Sequence, residues 1–209
     1  MTPFFIALQF LTRLKIVNQT EWSVEDFGKS VVAFPYVGLI IGLILALLYG
    51  ILSPFIPLVP LMLIIVVAEF LITGGLHADG LMDTSDGLFS GRERERKLEI
   101  MKDSRIGSFG VVAFVFVTLL KWQLLTAIPT AEFIPMALIM MPLMSRWSLV
   151  LSIRSYPYAR KEGMGAAFAN LAPKHVITYN TISTFFMPIV ILIIGAILYT
   201  LLYSAYSIF

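Results

Sequence analysis

Asp79, Asp83 and Asp86 recur at i, i+4 and i+7. If the stretch is helical, steps of about 100° per residue set all three on one face, tens of degrees apart. Like charges at that spacing repel, and near a low-dielectric membrane the repulsion grows unless a cation or a proton relieves it. Hard oxygen ligands favour Mg²⁺, Mn²⁺ or Ca²⁺ over softer metals. The spacing excludes an EF-hand loop, whose ligands alternate at positions 1, 3 and 5. A solvated acidic cap at a helix start is the plainer alternative.

Cations follow closely. Arg92, Arg94, Arg96, Lys97, Lys102 and Arg105 come directly after the carboxylates. Aspartates holding a divalent cation with Arg and Lys beside them suit a pyrophosphate, whose outer oxygens the cations bind. The run RERERKLE alternates in sign, so its arginines also read as a solvated, salt-bridged face. Lys102 and Arg105 stand with Asp103 at the start of an apolar run, and Asp103 reads either as a fourth metal ligand or as the partner of Arg105. His77, two residues before Asp79, is a candidate base or phosphate ligand, or a structural histidine. Gly74 and Gly75 permit a sharp exit from the preceding span and close approach of a bulky ligand. Gly107 and Gly110 could serve the same end, or helix packing.

The elements that must position these groups are membrane helices. The chain has 209 residues, 58% hydrophobic and 13% charged, with mean hydropathy +0.89. Soluble domains carry about 25% charged residues, so this composition points to a lipid bilayer. A net charge of +2 without a basic block argues against nucleic acid. The absence of cysteine excludes disulfides, thiolate metal sites and a cysteine nucleophile. The start, MTPFFIALQFLTRLK, lacks a basic n-region and a small-residue cleavage site, and reads as a short amphipathic helix on the membrane.

Spans need about 20 apolar residues, and five segments qualify, at 31–52, 54–75, 107–128, 132–153 and 183–207. The expected fold is all-α: one integral membrane domain over 1–209, with loops at 76–106 and 154–182 carrying the site. Thirteen of the fifteen basic residues fall on one side of this five-span arrangement. That bias makes the loops cytoplasmic in a multi-pass membrane protein. Lys121 and Arg146 lie inside spans, as does Glu69. Ionisable groups there face a bundle interior or a water cavity. Glu69 is the evident partner for Arg146, and Lys121 is placed to snorkel.

The run from Gly74 to Gly110 resembles the cobalamin-5′-phosphate synthase, or adenosylcobinamide-GDP ribazoletransferase, family. It carries that family's H-x-D-G-x-x-D-x-x-D-G core at 77–87 and its M-[KR]-D-S-R-[LI]-G block at 101–107. FLTRL at 10–14, AFPYVGLIIG at 33–42 and YARKEGMGAAF at 158–168 follow in the family's order. The resemblance implies a membrane transferase that uses Mg²⁺ late in coenzyme B12 assembly. The cobinamide-phosphate part of adenosylcobinamide-GDP would pass to α-ribazole or its 5′-phosphate, releasing GMP. It assigns Asp79, Asp83, Asp86 and His77 to catalysis, with Asp79, Asp83, Asp86 and Asp103 on the metal. Lys102, Arg105, Arg160, Lys161, Gly74 and Gly75 would contact substrate. A homo-oligomer is compatible with all of this.

Two departures stand out. Lys15 follows Leu14 where the family usually has a proline. The family's C-terminal G-x-T-G-D-x-x-G-A block does not occur before Phe209, so the chain is expected to be either truncated or a short variant. Competing readings are a Mg²⁺-dependent prenyltransferase, a CDP-alcohol phosphotransferase, a cation transporter and an inactive structural subunit.

Overall fold

The computed structural model describes residues 3–18, 22–160 and 163–206, the side chains of 192 and 194–206 excepted. Every element among the described residues is helical. In order they are α1 (Pro3–Leu11), α2 (Val24–Ser30), a 3₁₀ turn (Val31–Ala33), α3 (Phe34–Leu52), α4 (Leu58–Thr73), α5 (Leu76–Phe89) and α6 (Arg94–Ile100). After these come α7 (Ser108–Thr126), a second 3₁₀ turn (Ala131–Phe133), α8 (Ile134–Ser155), α9 (Met164–Leu171) and α10 (Val176–Tyr206). The protein is a membrane helix bundle. Val24–Leu52, Ser108–Thr126 and Ala131–Ser155 are each long and apolar enough to cross a bilayer. On α7 the apolar side chains Val112, Val115, Phe116, Leu120 and Leu124 are all exposed, as a lipid-facing surface requires.

Two expected spans differ in outline. Only 16 residues of the second are helical in α4, about 24 Å at 1.5 Å per residue and short of the roughly 30 Å hydrocarbon layer. The chain then bends by 91° into α5, and the pair counts as one broken span or a re-entrant segment. The last helix starts at Val176, seven residues before the expected edge, and carries Pro188 inside it. The segment expected as a loop at 76–106 contains α5 and α6.

The chain divides into two compact units. One comprises residues 1–8, 17–40 and 140–209. Here Ser23 caps α2, its Oγ accepting from the Asp26 N–H at 3.1 Å. Phe168 of α9 packs against Phe27 and Phe34. A Cβ on Gly28 would collide with the side chain of Leu171, so glycine lets α2 and α9 meet. Gly38 similarly lets α3 reach the backbone of α8 at Pro142 and Leu143. Arg146 is buried, 1% exposed, and Asn180 Nδ2 donates to the Val31 carbonyl.

The other unit comprises residues 9–16 and 41–139. Glu69, 8% exposed on α4, accepts a short hydrogen bond from Lys121 Nζ on α7. Lys121 therefore ties two helices together instead of snorkelling. Trp122 Nε1 adds a bond to the Val59 carbonyl, 2.8 Å. α5 lies along α7 through an unusual cap. The N-cap of α7 is Gly107, which has no side chain to satisfy the first amides. Asp86 Oδ2 accepts from Gly107 N at 2.7 Å and Oδ1 from Gly110 N at 2.8 Å. A Cβ on either glycine would strike this carboxylate, so Gly107 and Gly110 provide the space for Asp86.

The cap makes a graded prediction. Asn at position 86 accepts only one of the two N–H groups, so Asp86→Asn should cost about 1–2 kcal/mol and Asp86→Ala more. Gly107→Ala, which evicts the carboxylate, should fall in the same range. Unfolding in bicelles measures all three; changes under about 0.5 kcal/mol would mean that Asp86 is an ordinary surface acid.

Candidate active site

The site is built where α4 stops. Gly74 (φ +63°) and Gly75 (φ +77°) both adopt the left-handed conformation that favours glycine. Gly74 N–H returns to the carbonyls of Leu71 and Phe70, closing α4, while the Gly75 carbonyl accepts from Asp79 N at 2.8 Å, opening α5. These two residues make the sharp exit that their types implied. The approach Gly74 permits is by Arg13, whose side chain lies where a Cβ would be. Backbone N–H of Arg13 also donates to the Ile72 carbonyl at 2.8 Å. The segment after α1 is thus fastened to the helix break.

α5 is helical throughout, so the i, i+4, i+7 spacing does set Asp79, Asp83 and Asp86 on one face. Their surroundings differ. Asp79 is exposed, Asp83 is half-buried, and Asp86 is committed to the α7 amides. Next to Asp79, a Cβ on Gly80 would meet nothing within 4 Å, so this side of the helix is open. A cleft of about 650 Å³ lies at the break, and its walls include Asp79, Gly74, Gly75, Arg13 and Lys15.

Other expected site residues lie elsewhere. His77 sits on the first turn of α5, half-buried, about 160° round the axis from Asp79 and off the acidic face. Lys102 is exposed after α6. Asp103 grips Arg105: Nε donates to Oδ1 at 3.0 Å and the backbone N–H of Arg105 to the same oxygen at 3.1 Å. These bonds hold the Asp103 carboxyl down at about 2, well below its usual range. The partner reading of Asp103 is realised: Oδ2 accepts from Arg105 Nε at 3.1 Å and Nη2 at 2.5 Å, so each oxygen takes two hydrogen bonds from Arg105. Arg160, half-buried, belongs to the other unit, and Lys161 lies outside the described residues. α6, with its Arg96–Glu99 pair at 2.6 Å, is a solvated salt-bridged helix with no buried residue.

Sequence reasoning missed Arg13 and Lys15, which it used only to orient the chain. FLTRL was the available signal, but nothing local joins it to a helix end some sixty residues on.

The acidic residues of α5 supply hard oxygen donors of the kind Mg²⁺ takes. Among the described residues no three His, Cys, Asp or Glu side chains gather tightly enough to cage a metal. Mg²⁺ does not require a cage: it is commonly held by one or two carboxylates, with water and substrate phosphates completing the shell. Asp79 and Asp83, one turn apart on an accessible face, fit that mode.

Helices of membrane length, with a cleft lined by Asp79, Arg13 and Lys15 where α4 bends into α5, define a polytopic membrane protein with charged groups around a cavity. Residues 3–208 match the cobalamin-5-phosphate synthase family, and the chain belongs to it. Similar proteins carry the name adenosylcobinamide-GDP ribazoletransferase. One from Desulfitobacterium hafniense is 39% identical over 80% of this chain and 67% of its own. One from Acetivibrio thermocellus is 40% identical over 92% and 78%. A third, from Fusobacterium nucleatum, is 42% identical over 91% and 74%. No solved structure matches the chain.

Asp103 supplies a pH test. Its depressed carboxyl contributes stability that is complete above the ordinary value of 3.8 and is lost as pH falls from there toward about 2. Carbon NMR of the Asp103 carboxyl should give a midpoint near 2, returning to the usual range in Arg105→Gln. A wild-type midpoint near 4 would show that Arg105 is not held.

Proposed function

We propose that this protein is an adenosylcobinamide-GDP ribazoletransferase of the cytoplasmic membrane. It joins the cobinamide-phosphate part of adenosylcobinamide-GDP to α-ribazole or α-ribazole 5′-phosphate and releases GMP, in the final steps of coenzyme B12 biosynthesis. One observation carries the reading. The H-x-D-G-x-x-D-x-x-D-G core of the family to which residues 3–208 belong is a helix with its three aspartates on one face, and the first of them, Asp79, lines a cleft.

The reaction forms a bond between a ribazole hydroxyl oxygen and the phosphorus next to cobinamide. The bond from that phosphorus to the GMP phosphate breaks, and the hydroxyl proton must leave. Asp79 and Asp83 hold Mg²⁺, which when bound neutralises the diphosphate and the departing GMP. A carboxylate of the same face takes the proton, while the cleft aligns hydroxyl and phosphorus in line. Asp86 positions this face through its bonds to α7. Lys102 and Arg105 supply cations for the nucleotide and acceptor phosphates. The basic bias of the loops supports a cytoplasmic opening.

Mass spectrometry of protein in lipid, supplied with adenosylcobinamide-GDP, α-ribazole 5′-phosphate and Mg²⁺, should detect GMP and cobalamin 5′-phosphate. Asp83→Asn and Asp79→Asn should each lose about 10²-fold or more in rate, with Arg96→Gln unaffected. Chelation should abolish turnover and added Mg²⁺ restore it. Consumption of a prenyl diphosphate or a CDP-alcohol in place of GMP release would overturn the reading.

A further inference from the structure

Arg13, Lys15 and Asp79 are exposed and share the walls of one cleft. Among the described residues, none of the three enters an ion pair. Opposite charges that face a common space without meeting leave room for a ligand offering each its complement. Arg13 is the better anchored cation. Its backbone is bonded to Ile72, and its side chain rests in the gap left by Gly74, so the guanidinium reaches the cleft from a fixed base. Lys15 follows two residues later on the same wall. A guanidinium fork beside a mobile ammonium suits the oxygens of two linked phosphates, which take bidentate and point-charge contacts together.

We propose that Arg13 and Lys15 form the anion-holding wall of the cleft and bind the outer oxygens of a diphosphate whose other side faces Asp79. The transferase reading identifies the ester carrying that diphosphate; the charge arrangement itself stands without it.

Inorganic pyrophosphate with Mg²⁺ is the probe, titrated calorimetrically against the full chain in phosphatidylcholine nanodiscs. Arg13→Gln and Lys15→Gln should each weaken binding about tenfold or more, while Lys174→Gln, which removes an exposed cation from the other unit, should not change it. Lys15→Gln guards against misfolding of the Arg13 variant, because Lys15 is exposed. Wild type that fails to bind, or variants that bind as wild type does, would overturn the proposal. So would phosphatidylglycerol in the discs abolishing pyrophosphate binding, since the cleft would then be a headgroup site. A parallel assay of GMP release separates the two readings. Binding that needs Arg13 and Lys15 without GMP release leaves the wall standing and removes the transferase. GMP release with unchanged KM in both variants does the reverse.

Discussion

The unit that holds the site depends on one carboxylate. A transmembrane helix enters the bilayer with its first amides unsatisfied, and a helix that starts on glycine has no side chain to meet them. Asp86 meets two of them across 21 and 24 residues of sequence. Its negative charge also sits at the positive end of the α7 dipole. The same bonds determine which way α5 is turned. With Asp86 pointing at α7, Asp83 and Asp79, about one and two turns earlier, are fixed on the adjoining arc. The acid that holds the helix thereby also orients Asp79, which lines the cleft.

The rest of this unit keeps that arrangement at the edge of the apolar layer. Glu69 and Lys121 join α4 to α7 within the spans, where losing one partner would leave an uncompensated charge costing about 3–5 kcal/mol. Above that pair, Gly74 and Gly75 turn the chain by 91°, so that α5 leaves the direction of α4 as soon as the span ends. Arg13 closes the corner from the N-terminal side. Asp79, Arg13 and Lys15 are thus brought together around one cleft at a helix break.

Much of this was legible in the sequence because its signals are local. Continuous apolar runs marked α3, α7 and α8, and the i, i+4, i+7 spacing needed only a helix to become a face. Paired glycines before the acidic run announced the bend. What escaped was carried by contacts between distant residues. Nothing near Asp86 says that it caps a helix starting at Gly107, and three like carboxylates read as equivalent until one is seen with its oxygens in use. The hydrogen bond from Lys121 to Glu69 becomes visible only once α4 and α7 are laid side by side. The edges of α4 and α10 moved because hydropathy does not register where a helix bends. His77 was grouped with the aspartates by its place in the chain, yet helical geometry turns it away.

Amide hydrogen exchange at Gly107 and Gly110 tests the central claim most directly. Both N–H groups lie in the opening turn of α7, where no intrahelical carbonyl can protect them. In the wild type in lipid they should exchange slowly, and in Asp86→Ala both should lose that protection while mid-helix α7 amides keep theirs. Fast exchange at both glycines in the wild type would contradict the account, because Asp86 would then not be holding the helix that orients the site.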